Sequence, residues 1–341
     1  MSLSQPEVLF IAEVSANHLG SFDRAKEIVH AASKAGATAV KFQTYTAETM
    51  TLDIENFSVS KGHDLWGGRR LFSLYQEAFT PWEWHDELFK LSRSLGLIPF
   101  SSPFDLTAVE FLESINAPMY KIASLETGDH RLINAVASTG KPLIISTGAT
   151  EWDEIVELVE VVKKTGNKDL TLMVCTSSYP ADPSESHVNR IATLRKEFGC
   201  KVGLSDHTLG IGASVAAIAL GAVAIEKHLT LKRSDGGADG AFSMEPHEFA
   251  QLVTEGNVAR QSLGDGSWRI QASEFESRRL RRTLYVVENV NKGDLVTHQN
   301  VKAIRPGGGA HPRHLDSFIG KRFDNAYGPG TPMSYEILQD Q

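Results

Sequence analysis

Eight apolar runs recur along the chain, and each ends in residues fit for chemistry. They read LFIAEVS (Leu9 to Ser15), AVKFQT (Ala39 to Thr44), LIPFSSP (Leu97 to Pro103), MYKIAS (Met119 to Ser124), PLIISTG (Pro142 to Gly148), LTLMVCTS (Leu170 to Ser177), KVGLSDH (Lys201 to His207) and AVAIEKH (Ala222 to His228). A fold that uses all these endings together must point the carboxyl ends of its strands at one face, as a (β/α)8 TIM barrel does. Between the runs lie stretches of helical periodicity, such as Ser21 to Lys34, Thr107 to Ser114 and Glu151 to Lys164. Ser21 and Thr150 precede acidic first turns, the place of an N-cap. The rival α/β arrangement is a doubly wound open sheet. It fits less well, because no GxGxxG loop follows the first run and polar residues end every run instead of clustering at one switch point.

At 341 residues the chain is longer than a single core usually grows. A barrel is expected over 1–262, a linker over 263–282 and a small β-rich domain over 283–341. The last holds short β-like runs, TLYVVENV, VKAIRP and PMSYEIL, separated by Gly and Pro turns. The basic stretch Arg278, Arg279, Arg281 and Arg282 reads as a solvated linker. One connection breaks the rhythm: Thr46 to Phe79 shows no clear helix, yet carries Lys61, His63, Asp64, Trp66, Arg69 and Arg70. A loop that long is either a substrate-contacting element or a surface excursion.

A net charge of −8 with scattered basic residues argues against nucleic acid or an anionic membrane as partner, so any anion site must be local. No basic region followed by an apolar stretch opens the chain, and no run of membrane-spanning length occurs, which makes the cytoplasm the expected location. Cys175 and Cys200 fall near opposite ends of neighbouring strands, roughly 15–20 Å apart at the usual rise per residue. That exceeds the reach of a disulfide, so both are expected reduced.

His207 in SDHT and His228 in EKHLT end the seventh and eighth runs. Singly, each reads as a satisfied core histidine; at adjacent strand ends, the two can share a divalent metal whose other ligands are water and substrate oxygens. Asp206 and Glu226 flank them and are expected to orient the rings. Lys41 and Lys121 lie inside strands, where an unpaired ammonium costs several kcal/mol to bury, and a bound anion is the economical explanation. Ser102, Ser124, Ser146, Ser177 and Ser205 add hydroxyls on the same rim, enough for a phosphate cradle, although each alone reads as a turn or cap. Glu13 and Glu126 serve either as acid–base groups or as ion-pair partners of the lysines. Asp239, in GGADGAF, binds a sugar hydroxyl or simply makes a turn.

These residues, in the order AEVSANHLGS, VKFQTYT, SSPFD, YKIAS, ISTG, CTSSYP, LSDHT and EKHLT, followed by IRPG, resemble the sialic acid synthase family. Its members condense phosphoenolpyruvate with an amino sugar. Leu65 to His85 is most similar to the pseudaminic acid synthase branch, whose acceptor is a 2,4-diacetamido-2,4,6-trideoxyhexose and whose product, pseudaminic acid, is a nine-carbon 2-keto sugar acid. A sialic or legionaminic acid synthase acting on another N-acylated hexose is the neighbouring alternative. The resemblance implies a C-terminal antifreeze-like (SAF) domain that, in a domain-swapped homodimer, covers the other chain's active site. It implies Mn²⁺, or else Mg²⁺ or Co²⁺, on His207 and His228, with Glu13 on the substrate or the metal-bound water. Lys41, Lys121, Ser102, Ser124, Ser146 and Ser205 are implied to hold phosphoenolpyruvate. Gln43, Glu126, Tyr179 and Asp239 are implied to line the sugar site, and Arg305 of IRPG to arrive from the neighbouring chain. Ser177 and Ser102 stand where the sialic acid branch often has Asn and Thr, changes that keep a polar group. Two further readings compete: a metal-dependent pyruvate aldolase, which needs no phosphate cradle, and a non-catalytic carbohydrate-binding barrel, which needs neither cradle nor metal.

Overall fold

A computed structural model describes residues 7–62 and 65–339, so His63 and Asp64 lie outside the described residues. The chain divides into two compact units, Met1–Asp265 and Gly266–Gln341.

The first unit is a closed barrel of eight parallel strands in sequence order. They are β1 (Leu9–Glu13), β2 (Ala39–Thr44), β3 (Ile98–Pro103), β4 (Tyr120–Ile122), β5 (Leu143–Ser146), β6 (Leu170–Cys175), β7 (Lys201–Ser205) and β8 (Ala224–His228). Closure is made at β1, where Glu13 pairs in register with Lys41 on one side and with His228 on the other. Alternation along each strand divides its side chains between two environments. Phe10, Val40, Phe42, Leu172, Val174 and Leu204 belong to the core between strands and helices. Ile11, Ala39, Phe100, Met119, Ile144, Met173 and Ala224 form a separate apolar cluster that fills the barrel interior. Gly203 belongs to this layer by register, and a Cβ there would stand 2.6 Å from Met173 Sδ and 2.5 Å from the Ala224 carbonyl oxygen. A glycine on β7 is what admits the methionine.

Two residues beyond each member of the plug the inward position turns polar, giving Glu13, Lys41, Ser102, Lys121, Ser146, Cys175, Ser205 and Glu226, one per strand and all buried. The next inward step reaches the rim, with Ser15, Gln43, Gly148, Ser177, His207 and His228. The barrel is therefore apolar below, charged in the middle and polar at its mouth.

The surrounding helices follow the sequence closely. Phe22–Lys34 buries Ala25, Ile28, Val29 and Ala32 at helical spacing, and Ser21 Oγ caps it by accepting from Arg24 N at 3.2 Å. Trp152–Lys164 is not capped by Thr150. The cap falls one residue later, where Glu151 and Glu154 form a capping box, while Thr150 Oγ1 donates to the Gly148 carbonyl at 3.0 Å.

The 46–79 segment departs from expectation, since it holds the helices Ala47–Met50 and Leu71–Ala78. The second is two turns long and has one fully buried residue, Leu74, with Ser73, Gln76 and Glu77 exposed. So short a helix depends on tertiary packing, which its sequence pattern alone does not announce. Backbone bonds from Val59 N to the Arg69 carbonyl (2.9 Å) and from Leu71 N to the Phe57 carbonyl (2.9 Å) tie the segment into a hairpin.

The second unit packs Leu284, Val286, Val301, Phe318, Phe323 and Met333 around an antiparallel pair, β9 (Thr283–Val286) and β10 (Val301–Ile304). The third β-like run makes no strand. Pro332 offers no N–H, and the run forms single bridges and a 3₁₀ turn over Tyr335–Ile337. Residues 266–282, expected as a linker, group with this unit; they include the helix Phe275–Arg279, whose Arg279 carbonyl accepts from Gly307 N at 2.8 Å. Among the described residues no helix is long and apolar enough to cross a membrane.

Candidate active site

The charged ring is held together by Glu226. Its two oxygens accept from Lys121 Nζ at 2.9 and 3.1 Å, Oε1 also accepts from Ser205 Oγ at 3.2 Å, and Lys41 Nζ stands 3.6 Å away. Lys41 in turn forms an ion pair with Glu13 and donates to Ser102 Oγ at 3.3 Å. The ion-pair reading of Glu13 is thus realised with Lys41, while Lys121 pairs with Glu226. Glu226 does not orient an imidazole, and neither does Asp206. Alternation turns Asp206 away from His207, so that it accepts from Thr208 N (2.8 Å), Thr208 Oγ1 (2.8 Å) and Ser214 Oγ (2.6 Å) and pairs with Lys227.

The four charges do not cancel. Burial alone would raise the Glu226 carboxyl, but Lys121 and Lys41 outweigh it and pull it down to about 2. Burial pushes Glu13 up to about 7, with its Lys41 partner only partly opposing. Burial lowers Lys121 against the pull of Glu226, whereas Glu13 and Glu226 outweigh burial at Lys41 and raise it, so the ring keeps, sealed from water, positive charge that the partly ionised Glu13 does not fully balance. Nearby, the buried Ser146 Oγ has no partner, and Ser124 Oγ accepts from Gly148 N at 3.0 Å. A Cβ at Gly148 would lie 2.4 Å from Ser177 Oγ, 2.9 Å from Ser124 Oγ and 3.1 Å from Cys175 Sγ. Glycine keeps open a space ringed by hydroxyls. Such a place suits an anion.

At the rim the His207 and His228 rings are 5.4 Å apart, centre to centre. The Thr176 carbonyl accepts from His207 Nδ1 at 2.9 Å, a bond that leaves the lone pair on Nε2. His228 is held well below the usual imidazole range, first by burial and then by the positive charge of Lys41 nearby. Its buried Nδ1 has no hydrogen-bond partner and lies 3.7 Å from Asp239 Oδ2. Aromatic packing positions these rings, with Tyr179 at 4.4 Å from His207 and Phe242 at 4.9 Å from His228. No group of three or more His, Cys, Asp or Glu is set to hold a metal among the described residues. Two imidazoles, one with an unpartnered Nδ1 beside the Asp239 carboxylate, nonetheless fit an ion that takes its remaining ligands from water and substrate.

Above the ring opens a cavity of about 380 Å³, within the range of small-molecule sites. Ser15, Gln43, Ser124, Glu126, Ser177, Tyr179 and Asp239 contribute to its lining. Gln43 Nε2 donates to Ser15 Oγ at 2.9 Å, and Ala16 N donates to Asp239 Oδ2 at 3.3 Å. Burial pushes Glu126 up to about 7, and its Oε2 has no partner. A larger cleft of about 670 Å³ lies among His30, Lys34, Pro246 and His247 on the outer helices and contains none of this constellation.

Residues 28–268 match the model of the NeuB family. The chain belongs to that family, the sialic acid synthases. This NeuB-family chain is 40% identical over 338 residues to the pseudaminic acid synthase of Helicobacter pylori, with 99% of each chain covered. It is 40% identical over 318 residues to the pseudaminic acid synthase of Campylobacter jejuni, covering 93% of this chain and 92% of that one. Among solved structures it is similar to the N-acetylneuraminic acid synthetase of Leptospira borgpetersenii in complex with citrate, at a TM-score of 0.72 and 32% identity, over 80% of this chain and 90% of that one.

Every site residue read from the first unit's sequence falls in the ring, at the rim or in the cavity above, whereas Arg305 belongs to the second unit, where it is exposed. Sequence reasoning missed the central place of Glu226, the position of Cys175 in the ring and the packing of Phe242 on His228. The signal for the first two was period two: Ala224, Glu226 and His228 share one face of β8, as Met173 and Cys175 do on β6.

Proposed function

We propose that this chain condenses phosphoenolpyruvate with a 2,4-diacetamido-2,4,6-trideoxyhexose to give pseudaminic acid and phosphate. The observation that carries the reading is the buried ring of Lys41, Lys121, Glu13 and Glu226 directly beneath a cavity with a polar side. In this reading Lys41 and Lys121, with Ser102, Ser124, Ser146 and Ser205, hold the phosphate and carboxylate of phosphoenolpyruvate. Gln43, Glu126, Ser177, Tyr179 and Asp239 position the open-chain sugar so that its aldehyde carbon meets the methylene carbon of the donor. As that carbon–carbon bond forms the aldehyde C=O π bond opens, its oxygen taking up a proton to become a hydroxyl; water adds to the cationic C2, and Glu13 takes up the proton that the water loses, so that the two transfers balance. The C–O bond to phosphate then breaks, leaving the 2-keto group. A carboxyl with its midpoint near neutrality is suited to that transfer. His207 and His228 are proposed to hold Mn²⁺, Mg²⁺ or Co²⁺, and such an ion, when bound, polarises an aldehyde oxygen as a Lewis acid.

The second unit is proposed to be an SAF domain that brings Arg305 to the active site of the other chain in a cytoplasmic homodimer. Mixed dimers of Arg305→Ala with His207→Ala test this: regained activity supports delivery between chains, and none refutes it. The condensation itself is tested by incubating the protein and a divalent ion with the sugar and either phosphoenolpyruvate or pyruvate. Stoichiometric phosphate and a product mass equal to sugar plus pyruvate, formed from phosphoenolpyruvate alone, are expected. Equal product from pyruvate would establish an aldolase instead, and sugar binding without turnover under any ion a binding barrel.

A further inference from the structure

The cavity above the ring has two unlike sides. Strand ends supply the polar side. The other comes largely from residues 50–78, whose described members place Met50, Val59, Trp66, Leu71, Leu74 and Ala78 against the space, together with the ring of Tyr75, and contribute no charged group to it. This segment is rich in charge, yet its charges turn elsewhere: Arg70 pairs with Asp53 and Arg69 with Glu77, while Lys61 is exposed. The separation follows the local structure. The 57–71 hairpin puts Val59 on the cavity, and the helix Leu71–Ala78 turns Leu71, Leu74 and Ala78 to the same side by their i, i+3, i+7 spacing. Trp66 Nε1 donates to the Ala238 carbonyl at 2.9 Å, which fastens the hairpin to the loop that carries Asp239. The apolar side is thus a fixed surface of the site.

We propose that this wall is the specificity element of the sugar site, receiving the methyl groups of a 6-deoxy, doubly N-acetylated hexose and disfavouring a hydroxyl in their place. The inference rests on the condensation proposed above and names the residues that choose its acceptor. A methyl group laid on these side chains leaves water at a gain. A hydroxyl laid on Val59, Leu71 or Ala78 gives up its water hydrogen bonds and finds no partner in those aliphatic side chains. Apolar pockets discriminate only moderately against an added hydroxyl, by about 100-fold, so the wall is expected to bias the choice and not to make it absolute.

The test uses the full chain with a divalent ion and phosphoenolpyruvate, and two acceptors: 2,4-diacetamido-2,4,6-trideoxyhexose and the same sugar retaining its 6-hydroxyl. The parent is expected to favour the deoxy sugar by about 10- to 100-fold in kcat/KM. Val59→Thr and Leu71→Gln, both at half-buried positions, are expected to lower that ratio about 10-fold through KM for the sugar, with KM for phosphoenolpyruvate unchanged. Ala78→Ser, a smaller change, guards against loss of the segment's fold and is expected to move the ratio the same way. An unchanged ratio in variants that melt like the parent overturns the wall's role alone, as does equal use of the two sugars by the parent. No turnover of any N-acetylated hexose by the parent overturns the condensation and the wall's role together.

Discussion

Replacing Glu226 by Gln keeps the shape of the ring and removes the charge at its centre. At an effective dielectric of 20, a unit charge 2.9 Å from Lys121 Nζ is worth about 6 kcal/mol, and one 3.6 Å from Lys41 Nζ about 5 kcal/mol, before the cost of burying all three groups. That cost offsets much of the attraction while the ring is intact, but nothing offsets two ammonium groups left with Glu13 alone. The expected loss is about 3–5 kcal/mol, the usual result of breaking a buried pair. In a unit of this size it corresponds to a fall in melting temperature of about 10 °C. Calorimetric melting with and without inorganic phosphate is the assay. Added phosphate is expected to stabilise Glu226→Gln more than the parent, because the anion stands in for the missing carboxylate. A melting temperature within about 1 °C of the parent, or equal stabilisation of both by phosphate, would refute the view that the ring is a positively biased anion site.

Further outcomes are expected from the same geometry. Gly148→Ala should fold, yet lower kcat/KM for phosphoenolpyruvate by about 100-fold, because its Cβ enters the space ringed by Ser124, Ser177 and Cys175; parent-like kinetics would show that the space is not used. Glu126 titrates near 7 when folded against a reference of 4.5. A raised carboxyl costs nothing while both states are protonated, and the folded state loses ground as pH climbs from 4.5 through 7, by up to about 3 kcal/mol. Denaturant titrations of Glu126→Gln and the parent should therefore diverge across that window in the variant's favour, and parallel curves would contradict the burial argument. His207→Ala and His228→Ala should each abolish retained metal, measured by elemental analysis, together with activity; full activity of the parent in chelator would remove the ion from the reaction.

Much of this was legible in the sequence because a barrel gathers strand ends whatever the rest of the chain does. Lys41 and Lys121 are recognisable as unusual inside strands, and His207 and His228 as neighbours, from the amino-acid sequence alone. Other features depend on distances that sequence does not encode. Glu226 looked like a companion of His228, two residues away, yet its carboxylate reaches Lys121, 105 positions earlier, because β4 and β8 both face the barrel axis. The helix Leu71–Ala78 escaped notice for a different reason. Eight residues with Leu74 alone fully buried give too little pattern to distinguish a short helix from a loop, and it is held by packing against the helix Ala47–Met50 and the turn at Ser15–His18, with Tyr75 edge-on to Tyr45. Thr150 was misplaced as a cap by a single position, the scale on which helix ends are set by competing local hydrogen bonds.

The apolar plug of Ile11, Phe100, Met119 and Met173 closes the barrel below the charged ring, and the sugar cavity lies above it. A shaft shut at one end imposes a queue. For the condensation proposed here, the three-carbon donor would descend first to reach the lysines, and the larger acceptor, seated over it, would become the stopper that keeps donor and solvent from trading places until the new bond is made.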